Sequence, residues 1–191
     1  MHHRHFILYK PDGYLSQFAN NQNKRKNKKL LGGFFDFPDG VMAIGRLDEP
    51  SEGILLLTTD GQVSELVRSR SVEKEYYVQI DGLIDDNAIN QLRNGVTISS
   101  ESGPYLTLPC PVERISKTPV LPPRQKNIRD ERHGPTSWVS ITLSEGKYRQ
   151  VRKMTAVVGF PTLRLVRVRI GNIQHGTMNP GDVIETLAFN L

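Results

Sequence analysis

Apolar residues in this chain of 191 residues occur in short runs separated by turns, and this spacing restricts the fold more than any other feature. No uninterrupted apolar run is longer than four residues, as at residues 54–57. Runs of this length that end at glycine, proline or an Asp-Gly pair favour strands over long helices. A membrane-spanning helix needs roughly 20 apolar residues, so the sequence predicts a globular chain that does not enter a membrane.

The same periodicity predicts most of the secondary structure. Strands dominate, helices are interspersed, and no internal repeat is visible. Asp85 is expected to cap one helix, and alternation along a later strand places Leu165, Arg167 and Arg169 on one face. Residues 118–137 contain four prolines and predict a long surface excursion. The predicted strands cover residues 5–10, 41–47, 53–58, 74–80, 138–143 and 163–170, with shorter strands between 97 and 115, and the predicted helices cover 62–70, 85–93 and 147–158.

Positive charge is concentrated in two segments, although the formal net charge is only +5. Residues 24–29 contain five Lys or Arg within a predicted mobile loop at residues 20–29, and residues 146–169 contain seven with no acidic residue. Elsewhere 13 basic residues face 20 acidic ones, so the remainder of the protein is acidic. Charge focused in this way is typical of a surface that contacts nucleic-acid phosphates, with two solvated basic faces as the alternative.

Cysteine and motif content limit the cofactors that the chain could use. Cys110 is the only cysteine, which excludes an intramolecular disulfide and a thiolate zinc cluster. We interpret it as a small buried hydrophobe. No Gly-rich nucleotide loop, metal cluster or Schiff-base motif is visible, so we expect an enzyme without a cofactor. Nothing in the sequence directs the protein outside the cytoplasm.

A polar stretch at residues 48–52 separates two apolar runs. Asp48 opens that stretch, so we expect its carboxylate on a loop between two buried strands. A carboxylate there can be fixed and partly desolvated while it remains accessible to a ligand. Taken alone, however, a loop aspartate is more often the cap of a turn.

Four segments of the sequence together resemble one enzyme family. The segment GRLDEPSEGILLLTTDG at residues 45–61 closely resembles the signature of pseudouridine synthases of the RsuA type. Three further segments fit that family and follow in its order: KEYYV at 74–78, EGKYRQVRKM at 145–154 and LRLVRVRIG at 163–171. The resemblance implies an enzyme that converts uridine to pseudouridine in RNA. It also implies an α+β fold, with a mixed, largely antiparallel central sheet flanked by helices and a cleft across a bilobed domain.

Other segments indicate a branch within this family. The RluE branch, whose members modify large-subunit ribosomal RNA, shows the strongest resemblance. This resemblance lies in residues 9–18, 124–128 and 155–164. Many relatives outside this branch begin with a separate RNA-binding S4 domain. The resemblance therefore implies a single catalytic domain over residues 1–191 without an S4 domain, acting on ribosomal RNA in the cytoplasm as a monomer.

The family's chemistry implies three catalytic residues. The reaction breaks the glycosidic bond, turns the uracil in the pocket and rejoins it to the sugar through C5. Asp48 is expected to act on the sugar, as nucleophile or as base, and both roles stay open. Arg152 is expected to favour the ionised carboxylate, with a structural ion pair as the alternative. Tyr76 is expected to face a flipped uracil and to move a proton at C5, with core packing as the alternative.

Further residues are implied to contact the substrate. Arg46 is expected to fill the space left by the flipped base or to hold a phosphate, with a surface ion pair as the alternative. Cations crowd the first half of the predicted helix at 147–158, where the helix dipole disfavours them, and this indicates a compensating anion. The implied substrate-binding residues are Arg46, Lys74, Arg149, Lys153 and Leu165.

Two other functions fit parts of the sequence. A glycoside hydrolase would pair Asp48 with Glu49 or Glu52. A noncatalytic RNA-binding or ribosome-assembly protein would need the positive charge but neither Asp48 nor Tyr76. The basic segments argue against the first function, and the intact motifs around both residues argue against the second.

Overall fold

The computed structural model describes residues 2–19, 27–69, 71–129 and 131–191. Strands and helices alternate along these ranges, with strands in the majority. The strands are β1 (His5–Lys10), β2 (Met42–Ile44), β3 (Glu52–Thr58), β4 (Lys74–Asp81), β5 (Thr97–Ser100), β6 (Gly103–Leu106), β7 (Val112–Ile115), β8 (Thr136–Leu143), β9 (Thr162–Ile170), β10 (Ile173–Gln174) and β11 (Val183–Thr186), and the helices are α1 (Gly61–Arg68), α2 (Asp86–Asn94) and α3 (Gln150–Val157).

One mixed sheet organises the molecule. Nine strands of the described ranges belong to it, in the order β11-β1-β3-β9-β4-β8-β7, with β2 paired to β3 and β10 to β9. β3 and β9 run parallel, whereas the other strand pairs in these ranges are antiparallel. β5 and β6 form a separate hairpin. The predicted mixed, largely antiparallel α+β fold is confirmed.

The parallel seam between β3 and β9 divides the core. On one side, β4, β7 and β8 pack against α2 and α3 around Val78, Ile141 and Met154. On the other side, smaller clusters join β1, β2 and β3 to their neighbours. All residues of β3 are buried, which explains why a central strand carries a continuous apolar run. The cleft described below opens across this seam.

Gly53 allows the two strands of the seam to approach each other. Its φ of +105° is unfavourable for any residue with a side chain. A Cβ at this position would lie 2.2 Å from the carbonyl oxygen of Arg167 on β9. The seam therefore requires glycine at position 53, both because its φ is positive and because β9 leaves no space for a Cβ.

Aspartate side chains cap the first turns of two helices. Asp60 accepts hydrogen bonds from the first backbone N–H groups of α1, and Asp85 accepts one from the N–H of Ala88 at 2.7 Å. The predicted Asp85 cap is confirmed. α1 ends at Arg68, and Arg70, with which the predicted helix ended, lies outside the described residues.

The prediction of a helix over residues 147–158 is wrong at its start. α3 begins at Gln150, and Arg149 before it adopts a left-handed conformation with φ 53° and ψ 36°. The side-chain oxygen of Gln150 accepts the backbone N–H of Lys147 at 2.9 Å, which holds the preceding residues in a turn. Lys147 and Arg149 therefore precede the helix, and only Arg152 and Lys153 occupy its first turns.

The predicted face of β9 is correct for Leu165 and Arg167, which pair with Val78 and Tyr76, and wrong for Arg169. Arg167 pairs with Tyr76, whereas Arg169 pairs with Glu75, because a β-bulge interrupts the register between them. Cross-strand partners share a face, and adjacent residues of β4 point to opposite faces. Arg167 and Arg169 consequently lie on opposite faces of the sheet, although alternation alone placed them with Leu165 on one face.

The predicted excursion at residues 118–137 does not run over the surface throughout. Arg124 is largely buried, and its guanidinium pairs with Asp12 at 2.6 Å and with Glu52 at 3.5 Å. The carbonyl of Pro122 accepts a hydrogen bond from Arg164 of β9 at 2.8 Å. This segment therefore packs against the start of β3, directly behind the turn that carries Asp48. Strand β8 already begins at Thr136.

None of the helices in the described ranges is long and apolar enough to cross a membrane.

Candidate active site

A fixed turn between β2 and β3 carries Asp48. The backbone N–H of Ser51 donates to the carbonyl of Asp48 at 3.0 Å. Ser16 holds Leu47 from both sides, because its Oγ donates to the Leu47 carbonyl at 2.8 Å and accepts the Leu47 N–H at 3.0 Å. Both residues are buried. The backbone that positions the Asp48 carboxylate is therefore held before and after that residue.

Lys10 supports the same turn from inside the protein. Its fully buried ammonium donates to the carbonyls of Pro11 at 3.0 Å, Ser51 at 2.8 Å and Glu49 at 3.3 Å. Burial lowers the pKa of Lys10 to about 7, against the attraction of neighbouring carboxylates, Asp12 first. Sequence reasoning missed this residue. A lysine at the end of an apolar strand, next to proline, was the available signal.

Two guanidinium groups flank the Asp48 carboxylate. Its Oδ2 lies 3.4 Å from Nη1 of Arg149 and 3.6 Å from Nε of Arg152. The Asp48 side chain is 21% exposed, so it is partly desolvated and still accessible. Burial lowers the pKa of Arg152, and the charge of Asp48 opposes that shift. The structure thus brings Arg152 next to Asp48, as expected, and adds Arg149 as a second partner.

Arg152 also stabilises the turn. Its Nη2 donates to Ser51 Oγ at 3.1 Å and lies 3.5 Å from the Pro50 carbonyl. It contacts both the carboxylate of Asp48 and the backbone around it, so the structural alternative and the catalytic expectation are compatible.

A basic cleft of about 820 Å³ opens above Asp48. Its lining within the described chain includes seven basic residues and only three acidic ones, so it suits a polyanion. The basic residues are Lys28, Arg46, Arg68, Lys74, Lys147, Arg149 and Arg167.

A smaller recess of about 70 Å³ continues from the cleft beside Asp48. Tyr76 lines both cavities and packs against the larger core cluster. Tyr77 points to the opposite face and packs against a different cluster, as expected. The apolar walls of the recess include Tyr76, Leu143, Val151 and Leu165.

The predicted substrate-binding residues are not all in the cleft. Arg46 is exposed and lines it, and no ion pair of the described residues involves Arg46. Lys74 lines it as well, and burial first, then the charge of Arg167, lowers the pKa of Lys74 to about 8. Lys153 lies at the side, where its ammonium donates to the carbonyl of Ser99 at 2.7 Å.

Arg167 is a cleft residue that sequence reasoning missed. Its side chain is buried, and it donates to the carbonyl of Ile54 at 2.7 Å and to that of Gly45 at 3.1 Å. It thus ties β9 to the segment that leads to Asp48. An arginine between apolar residues of a strand was the signal.

Part of the predicted basic loop can be placed. Residues 24–26 lie outside the described residues. The ammonium of Lys28 pairs with Glu49 at 2.6 Å, and that of Lys29 lies 5.3 Å from the ring centre of Tyr14. The end of the loop therefore reaches the turn that carries Asp48.

The two acidic neighbours of Asp48 are already engaged. Glu49 pairs with Lys28, and Glu52 is 1% exposed between Arg164 at 2.8 Å and Arg124 at 3.5 Å. A carboxylate that is 1% exposed cannot reach a substrate. This geometry argues against the paired carboxylates of a glycoside hydrolase.

No group of three or more His, Cys, Asp or Glu side chains in the described part of the chain is placed to hold a metal ion. Cys110 is buried, and burial raises the pKa of its thiol to about 11, which agrees with its interpretation as a small hydrophobe.

Comparison with solved structures places the fold among pseudouridine synthases. A structure described as "Crystal structure of pseudouridylate synthase" matches with a TM-score of 0.75 and 27% sequence identity, over 96% of this chain and 70% of the other. A Cbf5-Nop10-Gar1 complex matches with a TM-score of 0.57 at 14% identity, over 88% of this chain and 49% of that chain, which shows the fold alone.

Sequence comparison identifies the family. The model of the RNA pseudouridylate synthase family matches residues 4–157. Proteins named "Ribosomal large subunit pseudouridine synthase E" are 40% identical in Xanthomonas campestris, over 92% of this chain and 91% of the relative, and 41% identical in Vibrio parahaemolyticus, over 92% and 70%. The chain belongs to the RNA pseudouridylate synthase family. It is an isomerase that forms pseudouridine from uridine in RNA, and the resemblance to the RsuA type and its RluE branch is confirmed.

Proposed function

We propose that this enzyme converts one or very few uridines of large-subunit ribosomal RNA to pseudouridine, with Asp48 as the reacting carboxylate. The names of its relatives in Xanthomonas and Vibrio support the choice of ribosomal RNA. The observation that carries the assignment of Asp48 is its position, 3.4 Å from Arg149 and 3.6 Å from Arg152 at the base of a basic cleft.

The isomerisation needs few groups. The N1–C1′ bond breaks, the uracil turns, C5 bonds to C1′, and the proton that leaves C5 is balanced by one gained at N1. Asp48 contributes by attacking the sugar or by removing a proton from it. Arg149 and Arg152 stabilise the ionised carboxylate that either role requires, because opposite charges at this distance favour the charged form.

The recess beside Asp48 offers a place for the base. A uracil extruded from its stack enters between apolar walls that include Tyr76 and Leu165. The Tyr76 ring packs against the base, and its hydroxyl exchanges the proton at C5. Arg46, exposed at the cleft, occupies the place of the extruded base or holds a phosphate.

Binding alone is the second function considered. A noncatalytic RNA-binding protein would need the cleft's cations and would gain nothing from a carboxylate placed among them, which repels phosphates. The position of Asp48 between two guanidiniums therefore favours catalysis.

A comparison of RNA substrates tests the proposal. Extrusion of a base costs a few kcal/mol, so loops and partly folded RNA are favoured over stable duplex. The purified enzyme should modify naked large-subunit RNA and a short fragment around the modified site, and should fail on mature subunits. Such a substrate is met in the cytoplasm during subunit assembly. Preference for transfer RNA, or for mature subunits over naked RNA, would refute the corresponding part of the proposal.

A further inference from the structure

Tyr148 is an exposed aromatic side chain in the wall of the cleft, and the reaction as described leaves it without a role. It is 70% exposed, more than any other large aromatic side chain among the described hydrophobic residues, whereas Phe35 reaches 38%. It lines the same cavity as Asp48 and Tyr76. An exposed ring of this size has a hydrophobic cost in water, which a ligand would relieve.

The turn that presents Tyr148 is rigid. Glu145 and Gln150 are buried at its two ends, and the Gln150 amide donates to Glu145 at 2.7 Å. Glu145 also accepts the N–H of Leu108 at 2.9 Å and the hydroxyl of Tyr105. Burial would raise the pKa of Glu145, but these hydrogen bonds together hold it below its usual value. The backbone that carries the ring is therefore fixed before any ligand arrives, which lowers the entropic cost of binding.

The backbone conformation of Arg149 lets the side chains of Tyr148 and Arg149 point in different directions. Arg149 has φ 53°, the one positive φ of a residue other than glycine in the described part of the chain. This conformation costs free energy and is retained where the surroundings enforce it. It allows Arg149 to reach the carboxylate of Asp48 while Tyr148 stays at the exposed edge of the same cleft.

One cation lies against the ring, and a second precedes Tyr148 in the sequence. The ammonium of Lys153 lies 5.3 Å from the centre of the Tyr148 ring. Lys147, on the other side in sequence, lies 4.5 Å from the ring of Tyr105 and lines the cleft. Aromatic rings alternating with cations are the usual composition of a surface that binds single-stranded nucleic acid, with bases on the rings and phosphates at the cations.

We propose that Tyr148 stacks against an unpaired base adjacent to the target uridine. This inference rests on the proposed entry of the uridine at Asp48. A strand whose uridine is extruded into the recess must pass its neighbouring nucleotide along the edge of the cleft, where Tyr148 is exposed, with Lys153 against its ring and Lys147 beside it in the sequence. Every base has a π-face, so this contact adds affinity and register without selecting one base.

Substitution of Tyr148 should affect binding rather than chemistry. Tyr148→Leu removes the ring, and the KM for a fragment of large-subunit RNA should rise about tenfold, since stacking on an aromatic side chain contributes at this scale. The kcat at saturating RNA should stay at the wild-type value. Tyr148→Phe keeps the ring and should behave as wild type. Leu187→Ala, a change at a residue that is 88% exposed and outside the cleft lining, is the control.

A fluorescent base reports the stack directly. The fragment carries 2-aminopurine on the 5′ or the 3′ side of the target uridine, and the inactive Asp48→Asn variant keeps it unreacted. Fluorescence should be quenched on binding at one of the two positions, and this quenching should disappear in Tyr148→Leu on the same background and persist in Tyr148→Phe.

The two proposals fail in different ways. If the fragment binds and is modified but Tyr148→Leu matches wild type in KM and in quenching, the stacking inference is wrong and the function stands. If the fragment is neither bound nor modified by the wild type, the proposed substrate is wrong. A fall in kcat alone for Tyr148→Leu would place the residue in the chemical step and overturn the inference.

Discussion

Tyr76 combines a packed ring with a hydroxyl that we propose moves a proton, and one substitution separates the two. Tyr76→Phe keeps the ring against the core and in the recess beside Asp48. If the hydroxyl moves the proton at C5, kcat should fall about 100-fold or more, since general acid–base catalysis contributes on this scale. Steady-state kinetics and RNA affinity of the purified variant measure both effects.

Tyr77→Phe provides the matched control, because that ring packs on the opposite face of β4. It should retain the wild-type kcat. Wild-type turnover by Tyr76→Phe would show that the hydroxyl is dispensable and that the ring acts by packing alone.

Lys74 predicts a pH dependence of RNA binding. Burial lowers its pKa to about 8, so the ammonium is charged below that pH and neutral above it. If Lys74 contacts the RNA, affinity should fall as the pH rises from about 7 to about 9, because attraction to the phosphates is lost. Lys74→Arg stays charged over this range and should bind with little change. If the dissociation constants of the wild type and of Lys74→Arg change equally with pH, Lys74 does not contact the RNA.

At the level of elements, the seam between β3 and β9 supports the site, because Asp48 lies in the turn before β3 and Arg167 lies on β9. Gly53→Ala would bring a methyl group within 2.2 Å of the Arg167 carbonyl and should lower the free energy of unfolding by at least about 3 kcal/mol. Gly103 has a similar φ of +107° with nothing within 4 Å. Gly103→Ala should therefore show the smaller cost of backbone strain alone. Denaturant unfolding measures both, and equal losses would mean that the seam tolerates a side chain.

Elements that depend on local sequence could be predicted. The apolar runs of β1, β3 and β4 alternate or end at turn residues, and Asp85 caps α2 with its own side chain. The polar break at residues 48–52 correctly placed Asp48 between two strands. These features need no information from distant parts of the chain.

Elements that depend on tertiary pairing could not be predicted. The bulge in β9 exists because β9 pairs with β4, and it reverses the face of Arg169 relative to Arg167. The left-handed Arg149 depends on the buried contact between Glu145 and Gln150. Burial of Lys10 becomes visible only once β1 lies beside β3. Arg169, Arg149 and Lys10 are all charged residues, and the position of each depends on a strand partner distant in sequence or on a turn.

At the scale of the whole molecule, the fold places the partly exposed carboxylate of Asp48 among many cations. Glu49 pairs with Lys28 and Glu52 with Arg124 and Arg164, and of these three carboxylates only Asp48 lines the recess. The predicted single catalytic domain, the monomeric state and the individual roles of Arg46 and Lys153 stay predictions. The assignment of Asp48 is the claim on which the others depend.

Asp48→Asn tests that claim most directly. The amide keeps the size of the side chain and removes the reactive carboxylate, so the variant should fold and bind RNA like the wild type. Asp86→Asn makes the same change at an exposed carboxylate that also pairs with an arginine, Arg114 at 2.9 Å. Pseudouridine in naked large-subunit RNA is measured after incubation with each purified protein. We expect full modification by wild type and Asp86→Asn and none by Asp48→Asn, whereas substantial modification by Asp48→Asn would show that this carboxylate is not the reacting group.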